Sequence, residues 1–169
     1  MRDASVLLRD SIHAMNAFDP SIYQRTEAPC VSIYLPTPHD EREMRRDRWV
    51  STQFKDLRNE AERTLAETYD KAAYKGIVEK MDYLLDHPDD TIWLSAQHGL
   101  ALLIDNNDAF AFDLTFAPQP TVMVGEEFYL KPLLMNAEYE MDYYLLLLNV
   151  GNFGLLRGNH DHAHWVELP

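Results

Sequence analysis

Residues 30–35, Cys-Val-Ser-Ile-Tyr-Leu, place apolar side chains at both odd and even positions, and Pro36 and Pro38 follow at once. Successive side chains of a strand point to opposite faces. A strand with one wet face would alternate, so this one reads as an interior strand buried on both faces. The prolines stop it, because proline cannot donate to a ladder. Beyond them the period changes. Val50, Phe54, Leu57, Ala61 and Leu65 step by four, three, four and four. That is one stripe of a long amphipathic helix, expected from about Glu41 to Tyr69. Tyr74, Ile77, Met81 and Leu84 mark a second helix, ended by His87-Pro88-Asp89-Asp90. The two form either an antiparallel helical hairpin or one long helix bent near Asp70.

Other elements follow from the same patterns. Leu8, Ile12 and Met15 share a helical face, so residues 4–17 read as a first helix with Asp3 as its N-cap. Residues 99–105 and 109–116 read as a hairpin closed at Asn106-Asn107-Asp108. Pro118 and Pro120 break the chain, and residues 128–135 enter a short helix with Pro132 near its first turn. Tyr-Tyr-Leu-Leu-Leu-Leu-Asn, 143–149, reads as a central strand, followed by strands at 152–158 and 162–168. Three such strands need a second layer to bury their apolar faces. The expected fold is α+β, with a mixed, largely antiparallel sheet packed against a long helical hairpin. Residues 1–140 form an N-terminal α+β domain on this reading. Residues 141–169 are a strand meander, either the start of a second, truncated domain or an extension of the first sheet.

Composition narrows the function classes. The 169 residues hold one cysteine, Cys30, which rules out an internal disulfide and fits a reducing compartment. Charges at Arg2, Asp3, Arg9 and Asp10 interrupt any signal-peptide core, and no apolar run approaches the ~20 residues of a membrane span. A cytoplasmic protein with no membrane partner is expected. Net charge is −13, which on average repels nucleic acid. Residues 41–63, however, carry seven Lys/Arg against six Asp/Glu, so this window is +1 and the remainder −14. The basic charge is densest at Arg42, Arg45, Arg46 and Arg48. These arginines, with the Pro36–His39 loop and His39 itself, are candidate phosphate contacts. The alternative is a solvated helical face laced with i,i+4 ion pairs. Trp49 beside them reads as a core residue.

Catalytic patterns are sparse. His160, His162 and His164 would share one side of an extended strand, and three imidazoles suit zinc, nickel or copper. Neighbouring members of that row sit ~7 Å apart, which is wide for tight tridentate binding. A metal-binding protein or metal-dependent hydrolase is therefore the alternative function, and an acidic protein-interaction scaffold a further one. Asp89-Asp90 and Glu126-Glu127 read as solvated loop acids. Ser32, Ser51 and Ser95 lack a nucleophile elbow, and neither Gly-x-Gly-x-x-Gly nor a phosphate loop occurs. No cofactor and no enzymatic activity are expected.

The order of motifs carries a resemblance. "VSIYLPT" at 31–37 precedes an arginine-rich helix and a helical pair. "WLSAQHGLALLI" at 93–104, "VGEEFYLKPLL" at 124–134, "YYLLLLN" and "FGLLRG" then follow. This succession resembles the N-terminal region of the bacterial and archaeal proteins related to the eukaryotic peptide-chain release factor and Pelota. The resemblance implies a non-enzymatic, translation-associated module that contacts the ribosome in rescue, termination or hibernation. It implies further domains of the same chain, with 143–169 as the first strands of a middle domain. Release factors use a Gly-Gly-Gln motif to hydrolyse peptidyl-tRNA. No two glycines are adjacent here, so that activity has no residues to carry it.

Overall fold

The computed structural model describes residues 4–15, 21–22, 28–37, 49–96, 98–139, 143–150, 152–158 and 163–166. The architecture is α+β. Strands β1 (Ile12–Met15), β2 (Cys30–Pro36), β3 (Gly99–Ile104), β4 (Ala109–Leu114) and β5 (Thr121–Gly125) form one sheet. Their order is β1-β4-β3-β2-β5. Only β1 and β4 run parallel, so the sheet is mixed and largely antiparallel.

Strand β2 is buried along its length and lies between β3 and β5. Its residues divide by parity. Val31, Ile33 and Leu35 enter a core with Leu100, Leu102, Ile104 and Ala111. Helix α2 (Lys55–Thr68), helix α3 (Lys75–Asp86) and the short helix α4 (Thr91–Ser95) cover that face. Cys30 and Tyr34 enter a second core with Ala101, Leu103, Phe110, Phe112 and Leu114. Phe128, Leu130 and Leu133 cover it, the last on helix α5 (Lys131–Tyr139). The polar atoms of this face are paired. Ser32 Oγ accepts the Tyr129 amide at 2.9 Å, and the Tyr34 hydroxyl donates to the Tyr129 carbonyl.

Both predicted helical stripes are buried. Val50 and Phe54 lie in a π-helical stretch that leads into α2, and Leu57, Ala61 and Leu65 continue the same face. Tyr74, Ile77, Met81 and Leu84 are likewise buried. The chain is extended at Tyr69 and Asp70, with ψ of 151° and 144°, so α2 and α3 are two helices rather than one bent rod. Trp93 locks their ends together. Its indole N–H donates to the Leu84 carbonyl at 3.2 Å, and its ring meets Phe54 edge-on at 5.0 Å and Trp49 at 5.8 Å. Residues 41–48, the predicted start of the first long helix, lie outside the described residues.

Two expectations need correction, and one strand, β5, was not expected. The first helix, α1 (Ala4–Asp10), stops well short of residue 17. Ser11 turns it, its amide and hydroxyl both donating to the Leu8 carbonyl, and Ile12–Met15 pair with Ala109–Phe112 instead. Strand pairing outweighs a helical spacing of only three apolar residues. Strand β5 was hidden by the flanking Pro118 and Pro120. Finally, the strand at 143–149 is not central. It is β6 (Tyr143–Asn149), the edge of a separate three-stranded sheet with β7 (Asn152–Gly158) in the middle and β8 (Ala163–Trp165) beyond.

Gly76 tests how closely α3 meets the β3–β4 turn. Helix propensity alone favours alanine there by roughly 1 kcal/mol. An added Cβ would lie 2.6 Å from the Asn106 carbonyl oxygen, which is backbone. Gly76→Ala is expected to lose about 1–3 kcal/mol in urea unfolding, the usual range for overpacking. A gain in stability would show that the turn can retreat.

Candidate functional site

Helix α3 presents two adjacent stripes to a groove of about 660 Å³. Gly76, Lys80, Tyr83 and His87 step by four, three and four, so they stack on one face of the helix. Glu79, Asp82 and Asp86 form a neighbouring acidic stripe. Leu7, Leu8 and Ser11 at the end of α1 line the same groove, with Asn106 and Asn107 of the β3–β4 turn.

Lys80 is 3% exposed. Its ammonium donates to the Asn106 carbonyl at 2.7 Å and the Gly76 carbonyl at 3.2 Å. Desolvation lowers its pKa, opposed by the attraction of Asp105, Asp108 and Glu79. Asp105 is buried as well and caps the turn, accepting from the Asn107 and Asp108 amides at 2.8 and 2.7 Å. Lys80 therefore pins the turn to the helix, and its donors are directed at carbonyls.

The rim is partly neutralised. Arg58 of α2 donates to Asp82 at 2.8 Å and also pairs with Glu62. Burial works against its charge, yet the bonds and attraction of Asp82 and Glu62 outweigh it and raise the guanidinium pKa. Glu79 is 3.5 Å from the exposed Lys75, a pair screened by solvent. His87 stacks on Tyr83 at 4.0 Å, and its Nδ1 lies 2.8 Å from the Tyr83 carbonyl. A carbonyl can only accept, so Nδ1 is the donor of this bond. The groove is an acidic, half-apolar cleft.

Sequence reasoning did not find this groove. The available signal was Lys80 itself, three residues after Ile77 and four before Leu84, on the apolar side of α3. Of the residues it did single out, His39, Arg42, Arg45, Arg46 and Arg48 lie outside the described residues, as do His160 and His162. His164 is exposed on β8, directly opposite Arg157 of β7. Among the described residues no group of three or more His, Cys, Asp or Glu side chains is placed to hold a metal ion. Nor is any described helix long and apolar enough to cross a membrane. Trp49 packs against the first core, as expected.

No family model matches the chain, and no curated protein matches it. Among solved structures, one titled "Archaeal protein" is similar over 87% of this chain at 10% identity, with a TM-score of 0.46. The match spans 41% of that protein's own length.

Lys80→Met keeps an unbranched apolar stem, one atom shorter, and removes both hydrogen bonds. It leaves the Asn106 carbonyl and the Asp105 carboxylate without their buried cation. A loss of about 1–3 kcal/mol is expected, the cost of stranding a buried acceptor. Chemical denaturation measures it. Stability within about 0.5 kcal/mol of the parent would show that Lys80 does not hold the turn.

Proposed function

We propose that this chain is a non-enzymatic binding module of a translation-associated protein, one that meets the ribosome through Arg42, Arg45, Arg46, Arg48 and His39. The supporting observation is how the flanks of that segment are held. Before it, the Thr37 amide donates to the His98 carbonyl at 3.0 Å, fixing the exit from β2. After it, Trp49 rests edge-on against the buried Trp93. The described residues on either side of the arginines, Thr37 and Trp49, are thus both held to the packed core.

Charge supports the same reading. Of the other cations between 41 and 63, Arg58 is committed to Asp82 and Glu62. Contact with an RNA backbone by an acidic chain is assigned to Arg42–Arg48, where the basic charge is densest, and its affinity must drop steeply with salt. The reading rests on the motif order from residue 31 to residue 158, which resembles that of the release-factor and Pelota relatives. The acidic rim of the α3 groove favours a second reading, a scaffold for a basic protein. Pull-downs with and without nuclease separate the two, because only RNA-mediated association is lost on digestion.

Replacing all four arginines with glutamate is expected to reduce ribosome co-sedimentation at low salt by at least about tenfold, since several phosphate contacts are lost together. Unchanged co-sedimentation would exclude this surface.

A further inference from the structure

Helix α3 lines the groove from Gly76 to His87, a stretch of ~16 Å at the helical rise. The groove's 660 Å³ falls within the ~300–1,000 Å³ of ligand clefts. Part of its wall is apolar. Leu7 of α1 lines it while remaining 54% exposed, and Leu8 lies beside it. The buried Tyr83, with the exposed His87 ring stacked on it at 4.0 Å, adds a flat surface.

Charge decides what can enter. Lys80 lines the groove, but its donors go to the Gly76 and Asn106 carbonyls, so it offers little to an anion. Asp82 is engaged by Arg58. Glu79 and Asp86 are exposed, and the 3.5 Å contact of Glu79 with Lys75 is screened by water. These two carboxylates stand about two helical turns apart, ~10.5 Å along α3.

We propose that the groove binds a basic amphipathic helix of another protein, laid along α3 beside α1. This rests on the second reading above, a scaffold for a basic protein, and names the element that the partner presents. A helix repeats its own surface at the same ~10.5 Å, so lysine or arginine at positions i and i+7 meets Glu79 and Asp86 together. Residues i+3 and i+4 lie between those cations on the same face, and apolar side chains there reach Leu7 and Leu8. The chain's net charge of −13 draws such a partner in from solution. The same charge opposes a second copy of the chain, and the carboxylates repel nucleic acid.

Fluorescence anisotropy of a labelled synthetic peptide with the 169-residue chain tests this. The probe is a helix of about 14 residues, mostly alanine and glutamine, with lysines at i and i+7 and leucines at i+3 and i+4. A Kd of ~10–100 µM is expected in ~0.1 M salt. Glu79→Gln with Asp86→Asn is expected to weaken binding at least about tenfold, and Leu7→Ala about threefold. Glu60→Gln with Glu67→Gln removes the same charge from exposed positions of α2 outside the groove, and is expected to leave Kd within about twofold. Glu79→Lys with Asp86→Lys is expected to reject the probe and to bind its counterpart carrying glutamates in place of the lysines. No binding at ~1 mM overturns the proposal and removes this groove from the scaffold reading as well. Equal binding of a shuffled peptide of the same composition overturns the helix and leaves the scaffold reading standing. Equal weakening by the two charge-removing pairs shows a response to net charge alone, which also overturns the proposal.

Discussion

Strand β2 has no side it can turn toward water, and the arrangement of the first sheet follows from that. Val31, Ile33 and Leu35 need one apolar layer, and Cys30 and Tyr34 need another. The helices α2, α3 and α4 supply the first, and α5 with the segment before it supplies the second. Burying backbone on both sides is tolerable only when every N–H and C=O is paired. The ladders to β3 and β5 provide that. Ser32, the one hydroxyl of β2 besides Tyr34, finds a backbone amide.

The same constraint limits what the first sheet can present to a partner. A strand closed on both faces can offer a partner only its ends. At one end the chain leaves through Pro36 and Thr37 toward the arginines, and it returns at Trp49 to the helical layer. The α3 groove arises where that layer meets the β3–β4 turn, and it is held by a buried cation rather than by apolar contact. Lys80 makes the junction specific. An ammonium directed at two carbonyls tolerates little displacement, and the attraction of Asp105, Asp108 and Glu79 opposes the desolvation that lowers its pKa.

Much of this was legible in the sequence. The parity of residues 30–35 identified a doubly buried strand. The steps from Val50 to Leu65 and from Tyr74 to Leu84 identified two buried helical faces, because a stripe of four or five apolar residues leaves little room for another period. Short elements were misread for the opposite reason. Leu8, Ile12 and Met15 fit a helix, but three residues cannot outweigh parallel pairing to β4. Val122 and Val124 of β5 do alternate with the exposed Met123, yet five residues between prolines and a turn give a weak signal. The groove was invisible because its lining comes from α1, α3 and a turn far apart in the chain. Four consecutive leucines in β6 read as a strand at a sheet's centre, since composition reports a need for burial without saying what meets it.

Native-state hydrogen exchange tests the central claim, that doubly buried β2 anchors the molecule. The amides of Val31 to Leu35 are expected to exchange only through global unfolding, with protection equal to the full unfolding free energy. Those of α1 and the edge strand β1 are expected to exchange earlier, through local opening. If the β2 amides exchange as readily as those of β1, the fold is not organised around that strand, and the account of what it positions fails with it.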